Sequence, residues 1–95
     1  MITERIVTFD RLEELTHVLG SVDENLDALE RAFEVRMTFR EGGIKIMGES
    51  EAVELAARSL DSLMQLASRG EQIDAARVNY VINLTREGEE DKLRE

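Results

Sequence analysis

The chain has no cysteine, no proline and no tryptophan, and its one histidine is His17. Without cysteine there is no disulfide framework and no thiolate metal site, so a reducing compartment is permitted. A lone histidine has no second imidazole with which to complete a zinc site. One tyrosine and three phenylalanines leave few aromatic platforms on which bases could stack. No apolar run approaches the ~20 residues that span a bilayer. The first residues, MITERIVTFDRLEE, carry acids at once and have no apolar stretch of the signal-peptide kind, so the cytoplasm is the expected location. A G-x-x-x-x-G-K-[ST] segment is also absent, and with it the loop that cradles nucleotide phosphates. No catalytic constellation stands in its place: His17, Ser21 and Asp23 lie close in sequence, but nothing there orients a nucleophile. The chain is read as non-enzymatic, with no cofactor and no metal of its own.

What remains is a short, acidic, helix-rich chain. Its 95 residues suit one small domain with a modest core, 42% of them hydrophobic and 35% charged. The net charge of −9 opposes binding to a phosphate backbone, so any nucleic-acid contact needs a local basic strip.

The most informative stretch runs from Leu19 to Gly48. Gly20-Ser21-Val22-Asp23 reads as a tight turn, and Ser21 with Glu24 has the spacing of a capping box. Leu26, Leu29 and Phe33 then recur at helical spacing. After Glu34 the period changes to two. Val35, Met37 and Phe39 take one face, and Arg36, Thr38 and Arg40 the other. Glu41-Gly42-Gly43 offers a reversal, after which Ile44 and Ile46 return to the core side with Lys45 and Met47 outside.

The flanks complete the pattern. Glu4 to Phe9 reads as an opening strand, and Asp10 as the cap of a short helix carrying Leu12, Leu15 and Leu19, stopped at Gly20. Ser50 reads as the cap of the most periodic helix, with Val53, Ala56, Ala57, Leu60, Leu63, Met64 and Ala67 on one stripe and Gly70 just past its end. Ile73, Asp74 and Val78 have the pattern of a hydrophobic staple around an N-cap, opening a last helix from Ala75 to about Leu84 or slightly beyond. Residues 85–95, TREGEEDKLRE, read as a charged tail or the start of a linker, leaving 1–84 as the domain. The expected fold is α+β, a small three-stranded antiparallel sheet with helices packed on one face, in the order β-α-α-β-β-α-α. Its expected core is Val7, Phe9, Leu15, Leu19, Leu26, Leu29, Phe33, Val35, Met37, Phe39, Ile44, Ile46, Val53, Leu60 and Leu63.

That order resembles a type I KH domain. More specifically, L-G-S-V-D-E-N-L-D-A-L-E, then F-R-E-G-G-I-K-I-M-G-E, then V-E-L-A…L-D-S-L and R-G-E-Q-I-D resemble the N-terminal domain of PhoH-family proteins. These are phosphate-starvation-inducible, P-loop ATPase-like proteins associated with RNA metabolism. The resemblance spans about Val7 to Leu84. It implies that ATP belongs to a following ATPase domain, and that this chain serves as an interaction or scaffold module for protein partners or for itself. Exposed surfaces on the last two helices would carry the contacts. With Val78, Val81 and Ile82 facing the core, Tyr80 beside Leu84 reads either as a docking surface or as a ring lying on the neighbouring helix.

The resemblance also implies an alternative, a KH-like domain for single-stranded RNA. A G-x-x-G loop lets backbone approach the nucleotide chain. Here Gly20, Ser21 and Val22 are followed by Asp23, which brings negative charge to the phosphate path. Capping worth ~1 kcal/mol accounts for the same residues without RNA. Arg31, Arg36, Arg40 and Lys45 would supply the basic strip, and the same cations also suit an ordinary solvated sheet face.

Overall fold

The computed structural model describes residues 1–8, 24–40, 43–71 and 73–89. The expected first helix, the Gly20–Asp23 turn and the core positions Phe9, Leu15 and Leu19 lie outside those residues, as does the side chain of Phe39. Among the described residues the order is β-α-β-β-α-α. It comprises β1 (Ile2–Thr8), α1 (Glu24–Phe33), β2 (Arg36–Arg40), β3 (Gly43–Glu49), α2 (Ser50–Ser68) and α3 (Ala75–Glu87). The expected α+β fold is present at that level.

The sheet is antiparallel with order β1-β3-β2, so the strand from the middle of the chain is central. Arg40 pairs with Gly43 and Phe39 with Ile44, and the expected reversal at Glu41-Gly42 lies outside the described residues. The opening strand begins two residues earlier than its composition suggests. Ile2 pairs with Glu49 and Thr8 with Gly43 along the whole length of β3. Gly43 serves this arrangement directly. A Cβ built there would lie 2.5 Å from the Val7 carbonyl oxygen, so only glycine lets β1 approach so closely.

Alternation on β3 decides where the core sits. Ile44 and Ile46 are fully buried beneath the helices, together with Val35 and Met37 at β2. Leu29 of α1, Leu60 and Leu63 of α2, and Val78 and Val81 of α3 fill the other side of this layer. α2 touches β1, β3, α1 and α3, which explains why its periodicity is the cleanest in the chain. It ends as the sequence suggests. Gly70 takes φ +84°, its N–H donates to the Ala67 carbonyl, and Glu71 N–H donates to that of Leu66.

The start of α2 differs from expectation. Glu49 holds the cap position and makes no side-chain capping bond, while Ser50 is already helical. The Ser50 N–H and hydroxyl both donate to the Met1 carbonyl, tying β1 to the helix. α3 begins as expected, with Asp74 Oδ1 accepting from Arg77 N–H at 2.8 Å and Ile73 and Val78 both buried. Arg86 then joins two helix ends. Its Nη2 donates to the Ala32 carbonyl at 2.6 Å, and its guanidinium lies 5.5 Å from the Phe33 ring centroid.

α3 continues slightly beyond Leu84, as the sequence allows. It reaches Glu87, and Thr85 is buried. Among the described residues, the Thr85 hydroxyl and that of Ser59 on α2 find no hydrogen-bond partner. Valine has nearly the shape of threonine without the unpaired oxygen. Thr85→Val is therefore expected to raise stability by about 1 kcal/mol, read as a higher urea midpoint at unchanged slope. A lower midpoint would mean that the hydroxyl is satisfied in solution.

Candidate interaction surface

Among the described residues, helices cover one face of the sheet and none covers the other. Because directly paired residues share a face, the register assigns every side chain on it. From β1 come Ile2, Glu4, Ile6 and Thr8. From β3 come Gly43, Lys45, Met47 and Glu49, and from β2 come Arg36, Thr38 and Arg40. Glu4, Met47 and Arg36 form one row across the strands, and Ile6, Lys45 and Thr38 the next.

This face is unusually apolar for an uncovered one. Ile2 is 65% exposed and Ile6 57%, and Met47 is half-buried between their strand and β2. Their even spacing on β1, with Glu4 between them, already places these isoleucines together in the sequence. The sequence reading begins that strand at Glu4, which leaves Ile2 outside it, so the outward pair is not visible there.

The charges are unevenly spread. Lys45 Nζ lies 3.2 Å from Glu4 Oε1, and Glu49 Oε2 accepts from the N-terminal amine at 2.8 Å. Arg36 and Arg40 are exposed and have no ion-pair partner among the described residues. The face thus carries three cationic side chains against two acids in a chain of net charge −9. Acid concentrates toward β1 and the far end of β3, and unpaired guanidinium toward β2.

The β2 edge is partly occupied from within. Glu30 of α1 accepts from the Met37 N–H at 2.9 Å, satisfying a donor that would otherwise be open to a further strand. Contact with another molecule is therefore better served by the flat face than by that edge.

Comparison with protein families, with curated proteins and with solved structures finds no match.

The structure sorts the residues singled out in the sequence. Arg36, Arg40 and Lys45 share the open face. Arg31 is exposed on α1, in the helical layer, and does not join them. Gly20, Ser21, Val22 and Asp23 lie outside the described residues. Tyr80 is 50% exposed on α3, but Leu84 is only 5% exposed and unavailable to a partner. Leu84 follows Val81 by three residues and turns inward with it, so Tyr80 stands as a single exposed aromatic rather than part of an apolar patch. Among the described residues no group of three or more His, Cys, Asp or Glu is placed to hold a metal ion. A shallow depression at the start of α2, lined by Ser50, Glu51, Glu54, Leu55 and Arg58, gathers acids around one leucine.

Proposed function

We propose that this chain is a non-catalytic interaction module that docks protein partners, itself included, through the open face of its sheet. The carrying observation is the pair of exposed isoleucines, Ile2 and Ile6, standing beside Met47 on a face that no described helix covers. Exposed apolar residues grouped on a surface and rimmed by charge mark interaction sites more often than scattered ones. The sheet order β1-β3-β2 and the helix–hairpin–helix–helix order that follows β1 fit a KH-like topology. They support the resemblance to the N-terminal domain of PhoH-family proteins. Under that resemblance the module works in the cytoplasm in the context of RNA metabolism, and ATP is handled by a following ATPase domain. Leu84 is buried, which leaves Tyr80 alone of the two expected docking residues on the helices, and this supports reading the sheet as the contact surface instead.

One observation favours a second reading, single-stranded RNA binding. Arg36 and Arg40 stand on the same side of β2 with no ion-pair partner among the described residues, and unpaired guanidinium groups suit phosphate. Two opposing facts weigh more. Lys45 is neutralised by Glu4, and the net charge repels a polyanion at longer range.

A titration of fluorescent single-stranded RNA at low and at physiological salt separates the two readings. The protein-docking module is expected to show no binding at either salt. Micromolar binding that weakens with salt, and drops further in Arg36→Glu/Arg40→Glu, would contradict it and establish the RNA reading.

A further inference from the structure

We propose that the open sheet face pairs with the same face of a second copy of the chain, about a two-fold axis parallel to β3. This deepens the reading of the sheet as a contact surface and rests on it. The argument is one of charge complementarity set by the strand register. Two copies laid face to face can be related by a two-fold axis running either across the strands or along them. With the axis across the strands, β2 faces the other copy's β2, and Arg36 and Arg40 meet only one another. With the axis along β3, β1 of each copy lies over β2 of the other.

The second arrangement is self-complementary. Glu4 and Arg36 both flank Met47 in the register, one on each side. Rotation about β3 therefore sets Glu4 of each copy over Arg36 of the other, and makes that ion pair twice. Ile6 comes over Thr38, Thr8 over Arg40, and Met47 over its own copy on the axis. Lys45 and Glu49 also meet their own copies there, but each Lys45 brings its neutralising Glu4 within 3.2 Å and each Glu49 the N-terminal amine within 2.8 Å. A packing angle near 30° displaces the strands by about one strand spacing at their ends. At the Glu4–Met47–Arg36 row, one residue from the middle of β3, the displacement is only about 2 Å, so the Glu4–Arg36 pairing is kept there. A face-to-face spacing of about 10 Å leaves room for a glutamate and an arginine to meet.

The size of the face sets the strength. Three strands about 4.8 Å apart, the longer ones seven residues in length, give roughly 14 by 23 Å. Two such faces have a flat area of roughly 650 Å² in total, below the size of a stable specific interface, so the pairing is weak and reversible.

The test is sedimentation equilibrium of the whole chain, carried to near-millimolar concentration at low and at physiological salt. The expected result is a concentration-dependent dimer that weakens as salt rises. Glu4→Arg and Arg36→Glu should each weaken it about tenfold, since each sets like charges over one another, and the double variant should recover most of that loss. Circular dichroism checks that each variant is folded. A monomer under every condition overturns the pairing, as does a double variant no tighter than the single ones. If the purified chain stays monomeric while cell extract still perturbs Ile2 and Ile6, self-pairing alone has failed. If neither occurs, the contact surface itself has failed.

Discussion

Leu60→Ala should lower the stability of this domain by about 3–4 kcal/mol. Leu60 is fully buried on α2, the helix that touches β1, β3, α1 and α3, so the vacated space lies where several elements meet. Close packing on all sides limits how far the surroundings can collapse into the gap, which places the cost in the upper part of the range for a leucine truncation. In a domain of this size each kcal/mol moves the thermal midpoint by roughly 4–8 °C, so a fall of about 12 °C or more is expected. Leu60→Met keeps the volume and should cost under ~1.5 kcal/mol. A Leu60→Ala midpoint within a few degrees of the parent would show that α2 does not sit over the centre of the sheet. Thermal unfolding followed by circular dichroism reads both variants.

Gly43→Ala should be the next most damaging change, at about 2–3 kcal/mol. The added methyl would lie 2.5 Å from the Val7 carbonyl oxygen, a backbone atom within the β1–β3 ladder. No rotamer change relieves that contact, so the two strands must separate. The damage should be directional. Amide hydrogen exchange is expected to rise along β1, from Val7 and Thr8 outward, while β2 keeps its protection through its own pairing with β3. Uniform loss across the sheet, or none, would contradict the register that sets Gly43 against Thr8.

The parts of this fold that are legible in the sequence share a physical reason. In the hairpin, Met37 on β2, Val35 just before it, and Ile44 and Ile46 on β3 all point to one buried face, so period-two alternation survives. α2 buries one stripe over its whole length, and the spacing from Val53 to Ala67 records it. The opening of α3 is legible because Ile73, Asp74 and Val78 serve one local device, a cap with its staple. The end of α3 is less so. Thr85 is polar and followed by a run of charge, which hides the buried turn containing it and Leu84. Ser50 misleads in the opposite direction. A serine before a helix suggests a cap, but here the hydroxyl answers to Met1, nearly fifty residues away in sequence, and no local pattern records that.

The candidate surface was legible only in halves. Arg36, Arg40 and Lys45 stand out by alternation within the hairpin. Ile2 and Ile6 become their neighbours only once β1 is known to lie along β3 in this register. The long-range pairing turns a basic strip into a mixed apolar and charged face, which suits the protein partner that the sequence already put first better than an RNA strand. Arg31 shows the same limit in reverse, since nearness in sequence put it with the strip while its helix holds it in the other layer.

The claim at the centre of this account is that the open sheet face makes the contacts. Methyl NMR with labelled isoleucine and methionine tests it most directly, recorded on dilute protein, then on concentrated protein, then with added cytoplasmic extract. The account predicts that Ile2, Ile6 and Met47 shift or lose intensity while the buried Ile44 and Ile46 beneath them hold theirs. Signals that stay unchanged throughout, or changes confined to the helical layer around Tyr80, would contradict it.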